Sequence, residues 1–201
     1  MSTKDKILMA ALDLFSQRGY DSVTMEEIAN AVGIKAPSLY KHYKNKRDIW
    51  DSLIDWQRNI YYSKSVSNGF DLGTVVVSEI DRDKIEFIIR EIKKQVITLM
   101  TEPTLVKCRR LFTLEQFKSK EAARELSDRS YDSLKQFHTN IAKMFLKAGL
   151  IKECDPEIFA LQFMSPINVM INVLDRQPER EEEMMELLDR HIRSFINDHK
   201  I

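Results

Sequence analysis

Apolar residues recur three and four positions apart through most of the chain, the spacing of helices that bury one face. Ile7, Leu8, Ala11, Leu12, Leu14 and Phe15 predict a first helix over 3–18, stopped by Gly19. Thr24 and Glu27 form a capping box for a second helix, with Val23 and Ile28 as its hydrophobic staple. That helix carries Ile28, Ala29 and Val32 and stops at Gly33. A short third helix starts near Pro37, where a missing N–H costs nothing, and runs to about Tyr43. Asn45 caps a fourth, whose buried face holds Ile49, Trp50, Leu53, Ile54 and Ile60.

Residues 64–78 interrupt the pattern with two glycines and three consecutive valines and read as a connector. Helical spacing returns from about Asp81, with Ile85, Ile88, Ile89, Ile92, Val96 and Leu99 on one face. Pro103 opens the next helix, a long one ends at Gly149, Asp155 and Pro156 begin another, and Pro178 opens the last. The fold class is all-α, with about nine helices. The most apolar stretch, 159–174, is broken by Gln162, Ser165, Pro166, Asn168 and Asn172, and is expected to be too short and too polar to cross a membrane.

Composition adds little to this picture. The chain has 201 residues, 43% apolar and 31% charged, as in a globular protein of one domain or one plus a small module. No apolar leader opens it, and its two cysteines, Cys108 and Cys154, are far apart; a reduced, cytoplasmic protein is the expectation.

Charge changes the picture more. The 31 cations balance 31 acids, yet Lys35 to Arg47 holds five cations and no acid. Ala29 is small enough for two helices to cross closely, and Gly33 permits a tight turn between them, so residues 24–43 read as a helix-turn-helix. At 100° per residue Leu39 and Tyr43 face the core, leaving Pro37, Ser38, Tyr40, Lys41 and Lys44 outward and His42 on the edge. Lys46 and Arg47 start the fourth helix, whose N-terminal dipole favours a phosphate.

The stretch "ILMAALDLFSQRGYDSVTMEEIANAVGIKAPSLYKHYKNKRDI" resembles the tetracycline-repressor (TetR) family of bacterial transcription regulators. The likeness includes Phe15, Gly19 and Tyr20, the Thr24 cap, "IANAVGI", Leu39-Tyr40, Tyr43 and Lys46. It implies that Thr24, Tyr40 and Lys46 contact phosphates, while Lys35, Ala36, Pro37, Ser38 and His42 approach base edges. Lys41 and Lys44 complete the expected contacts to double-stranded DNA. The resemblance also implies a DNA-binding domain over 1–48, and an effector-binding and dimerisation domain over 49–201.

Outside the first 50 residues no motif names a ligand. Met100, Cys108, Tyr131, His138, Met164 and Asn168 are the candidates for contact with an unknown small-molecule effector, although methionine more often fills core and a single polar residue on a helix seldom marks a site. Met164 and Ile171, with Met185, Leu188, Ile192, Phe195 and Ile196, form two apolar stripes expected to join two copies as a homodimer. The chain has no Gly-rich phosphate loop, HExxH pair, Cys-x-x-Cys pair or nucleophile elbow, and its four histidines are scattered; no cofactor, metal or catalysis is expected. A dimeric DNA-binding repressor is the leading expectation. The other reading is an interaction module whose basic helix binds acidic protein surfaces, since the polar outward face disfavours membrane insertion.

Overall fold

The structure, a computed structural model, describes residues 1–66 and 82–201, and of 61–66 and 82–85 only the helical backbone. Its helices are α1 (Thr3–Arg18), α2 (Met25–Val32), α3 (Ala36–Leu39), α4 (Lys46–Val66), α5 (Arg82–Thr101), α6 (Pro103–Glu115), α7 (Lys120–Ser127), α8 (Ser133–Lys147), α9 (Pro156–Arg176) and α10 (Glu181–His199). A π turn, Asp128–Asp132, joins α7 to α8 with right-handed helical backbone at both junctions, so the two form the single long helix expected there. Among the described residues the one strand-type pairing is an isolated bridge between Ile151 and Lys200. The expected connector lies outside the described residues from 67 onward; residues 64–66 close α4.

Two compact units result. The first joins residues 1–65 to 103–126, and the second joins 66–102 to 127–201. The boundary expected after residue 48 falls instead inside the first turn of α4. The reason is packing. Cys108, Leu111 and Phe112 of α6 and Ala122 of α7 share one core with Ile7, Leu12, Phe15, Ile28, Leu39 and Ile49. Local sequence starts these helices cleanly: Ser2 and Asp5 form a capping box on α1, as Thr24 and Glu27 do on α2.

In the second unit, Ile88, Ile92, Val96 and Met100 of α5 meet the apolar faces of α8, α9 and α10. This corrects the expected dimer stripes. Met164, Ile171, Leu188, Ile192 and Phe195 are buried inside their own chain, and Met185 and Ile196 pack against the same core. Helical spacing identifies a buried face but not whose atoms bury it. The large apolar residues that α9 leaves exposed are Ile158 and Val169, the latter 64% exposed. At 21 residues α9 is also longer than the stretch read from sequence, and by length and composition alone it could cross a membrane; here its buried side chains belong to the core of this unit.

Candidate nucleic-acid interface

The helix-turn-helix is set by its turn. Gly33 takes the left-handed conformation, φ 75° and ψ 30°. The Ile34 N–H donates to the Ala29 carbonyl and the Gly33 N–H to that of Asn30, the paired bonds of a Schellman stop. The chain then enters α3, which is regular only over Ala36–Leu39. Beyond it, the Tyr40 amide reaches the Ala36 carbonyl, and those of His42 and Tyr43 reach that of Leu39. The helix expected to extend to Tyr43 is therefore one α-turn followed by tighter turns.

Leu39 and Tyr43 are buried, as the 100° spacing requires. Burial raises the Tyr43 phenol to about 12, and its hydroxyl donates to the Lys4 carbonyl at 3.4 Å. Outward stand Lys35, Pro37, Tyr40, Lys41, His42 and Lys44, all exposed, with Ala36 and Ser38 half-buried. Tyr40, 49% exposed, presents an aromatic face and a hydroxyl to solvent.

The cations of this motif fall into two groups. Arg18 pairs with Glu27 at 2.8 Å. Arg47 holds Asp51 at 2.7 Å and Glu121 at 2.6 Å, and these hydrogen bonds, that to Glu121 foremost, push the guanidinium pKa up. Lys46 donates to the carbonyls of Tyr20, Val23 and Asp21 at 2.8, 2.9 and 3.3 Å. Lys35, Lys41 and Lys44 form no ion pair among the described residues. Lys46, expected at a phosphate, has its ammonium engaged in this structure by the loop between α1 and α2. Thr24 is exposed, with its hydroxyl engaged by Glu27, and the Thr24 amide bond holds the Glu27 carboxyl below its usual range. Arrayed on one exposed segment, three lysines, a tyrosine and a histidine offer donors to phosphate and to base edges.

Of the expected effector residues, His138 alone lines the cavity of the second unit. That cavity, about 480 Å³, is bounded by α5, α8, α9, the end of α10 and the Ile151–Lys200 bridge. Cys108 is buried in the other unit, Met100 belongs to the core of the second, and Met164 is buried. Tyr131 is 45% exposed, and Asn168 donates to the Ser130 carbonyl at 2.8 Å. Sequence reading missed Phe159, Phe163, Phe195 and His199. Histidines that looked scattered converge: His138 and His191 lie 4.9 and 5.7 Å from the Phe163 ring, and His199 lies 4.2 Å from that of Phe195. The signal available was Phe195 and His199, one turn apart on an otherwise apolar stripe. Among the described residues no group of three His, Cys, Asp or Glu could hold a metal ion.

Residues 7–53 match the family model of bacterial regulatory proteins, tetR family. The chain is 44% identical over 68 residues to IcaR of Staphylococcus epidermidis, the HTH-type negative transcriptional regulator of the biofilm operon icaADBC. That match spans 34% of this chain and 30% of the relative. Against IcaR of Staphylococcus aureus it is 25% identical over 187 residues, 85% of this chain and 97% of the relative. A transcriptional regulator of Saccharomonospora viridis, solved in complex with choline, superposes with a TM-score of 0.71 at 18% identity, covering 98% of this chain and 97% of that one, a likeness of fold alone.

Proposed function

We propose that this chain, which belongs to the tetR family of bacterial regulatory proteins, works as a homodimeric, sequence-specific repressor that a small molecule releases from its operator. The observation that carries the reading is the division of cations on the helix-turn-helix. Arg18, Lys46 and Arg47 are engaged by acids and carbonyls of the protein itself, while Lys35, Lys41 and Lys44, on one exposed segment with Tyr40 and His42, form no ion pair among the described residues. Such a face neutralises phosphates, and the half-buried Ser38 and the exposed His42 can discriminate among bases. Relatives described as negative regulators support repression.

Two copies would present two such segments to half-sites about one helical turn apart, or a multiple of it. The outward side of α9, with Ile158 and Val169, is the surface we assign to that pairing, in place of the stripes found buried. The cavity of the second unit is the effector site in this reading, and choline bound by the Saccharomonospora viridis structure supports ligand binding by the fold. Release requires the effector to favour the arrangement that does not bind DNA. Selection from a randomised duplex library at about 150 mM salt tests the proposal, because nonspecific binding is weak there. An enriched inverted repeat is expected; a protein that retains all duplexes equally overturns it.

A further inference from the structure

On the side of α10 opposite its buried stripe, the charges follow an order complementary to its own reverse. Glu183, Glu186, Arg190 and Arg193 stand three, four and three positions apart, all exposed, within an arc of about 80° at 100° per residue. Other charges of this helix are answered by the chain itself: Asp189 pairs with Lys93 and Glu183 with Arg180, each at 2.6 Å. Glu186, Arg190 and Arg193 form no ion pair among the described residues. Acids early in a helix and cations late in it suit the helix dipole, but that effect fades within the first and last turns. Glu186 and Arg190 lie between those turns of α10 and need another account.

Such an order selects both a partner and a direction. Laid against a second copy running the opposite way, Glu186 faces Arg190 and Glu183 faces Arg193, both pairs centred on the level of Leu188. Two-fold symmetry makes each contact occur twice. A parallel copy would set glutamate on glutamate and arginine on arginine. The neighbouring helix supplies what α10 lacks. No charge lies between Glu157 and Asp175 of α9, and its exposed positions include Ile158, Ser165, Val169 and Asn172. An uncharged face attracts without discriminating, whereas charges in fixed order reject every register that brings like to like.

We propose that the charged side of α10 docks antiparallel on the same side of a second copy of this chain, held in register by reciprocal Glu186–Arg190 and Glu183–Arg193 pairs. The proposal rests on the homodimer reading above and adds to it the register and the selectivity for an identical chain.

The test is sedimentation of the full chain at about 0.1 M salt, where charges more than about 10 Å apart are largely screened. Glu186→Arg or Arg190→Glu alone places like charges together twice in the homodimer, so the dimer Kd of each variant should rise about ten-fold or more. In an equimolar mixture of the two, positions 186 and 190 are again matched, arginine to glutamate. The mixture should therefore recover the wild-type affinity as a heterodimer, counted by native mass spectrometry. A chain carrying both reversals should dimerise with itself and refuse wild type. Mixing mends neither a lost ion pair within one helix nor a failure to fold, so recovery reports the contact between copies. Single variants that dimerise as tightly as wild type, a mixture that stays monomeric, or a double variant that exchanges freely with wild type would each overturn the register and leave the homodimer reading standing. A monomeric wild type would overturn both.

Discussion

Lys46 is turned onto Tyr20: its Nζ stands 2.8 Å from the Tyr20 carbonyl and 4.4 Å from the centre of the Tyr20 ring. With the Val23 and Asp21 carbonyls it closes the loop between α1 and α2 from inside. Lys46→Met should therefore destabilise the protein by about 1.5–3 kcal/mol, the range for a hydrogen-bonded charge. Urea unfolding measures it. A variant as stable as wild type would mean the three carbonyls find water equally well.

Lys41 and Lys44 should behave in the opposite way. Each stands exposed with no ion pair among the described residues, so alanine at either position should leave unfolding within about 0.5 kcal/mol of wild type. DNA affinity should fall for all sequences, and the slope of log Kobs against log salt should become shallower by about 0.9 per lysine removed. Titrations at several salt concentrations decide this. An unchanged slope would take these lysines off the phosphate backbone.

Gly19 and Gly33 both have positive φ, 78° and 75°, yet alanine should cost them differently. A Cβ on Gly33 meets nothing within 4 Å, leaving only the backbone penalty of about 1 kcal/mol. A Cβ on Gly19 would stand 2.9 Å from Oε1 of Glu115, the atom that accepts the Tyr20 amide at 2.9 Å. Gly19→Ala should be the more destabilising of the two by about 1–2 kcal/mol. Denaturant midpoints of the two variants, compared directly, give the order; the reverse order would show that the Glu115 side chain moves aside freely.

Burial of His138 has a pH signature. Its pKa drops from 6.5 to about 4 on folding, so between those values the unfolded chain holds the extra proton. The contribution of neutral His138 is full above pH about 6.5 and shrinks as pH falls, by about 1.4 kcal/mol per pH unit until about pH 4. Urea unfolding from pH 7 to 4.5 should show that slope in wild type and lose it in His138→Phe. Parallel curves would place the titration elsewhere.

The parts legible in the sequence are those decided by neighbours in sequence. The Thr24–Glu27 box, the Gly33 stop and the inward turn of Leu39 and Tyr43 depend on residues at most four or five positions away. The loop contacts of Lys46 were not legible because the carbonyls it serves lie 23 to 26 positions back, and a lysine at a helix start looks the same whether or not it also holds a loop. The stripe on α10 was assigned to a second copy because Leu188 and Ile192 are equally apolar toward either neighbour. The cavity was invisible for the same reason: Ile92, His138, Phe159 and Phe195 come from four helices, and only their packing leaves space between them.

The bridge between Ile151 and Lys200 turns one backbone proton into a gauge. The Lys152 amide sits between α8 and α9, where amides ordinarily trade hydrogen for deuterium fast, yet it donates to the His199 carbonyl at 2.8 Å. Its exchange must wait for the end of α10 to lift from the cavity. The lifetime of that single deuterium label therefore counts how often the chamber opens, and a molecule lodged inside would lengthen it.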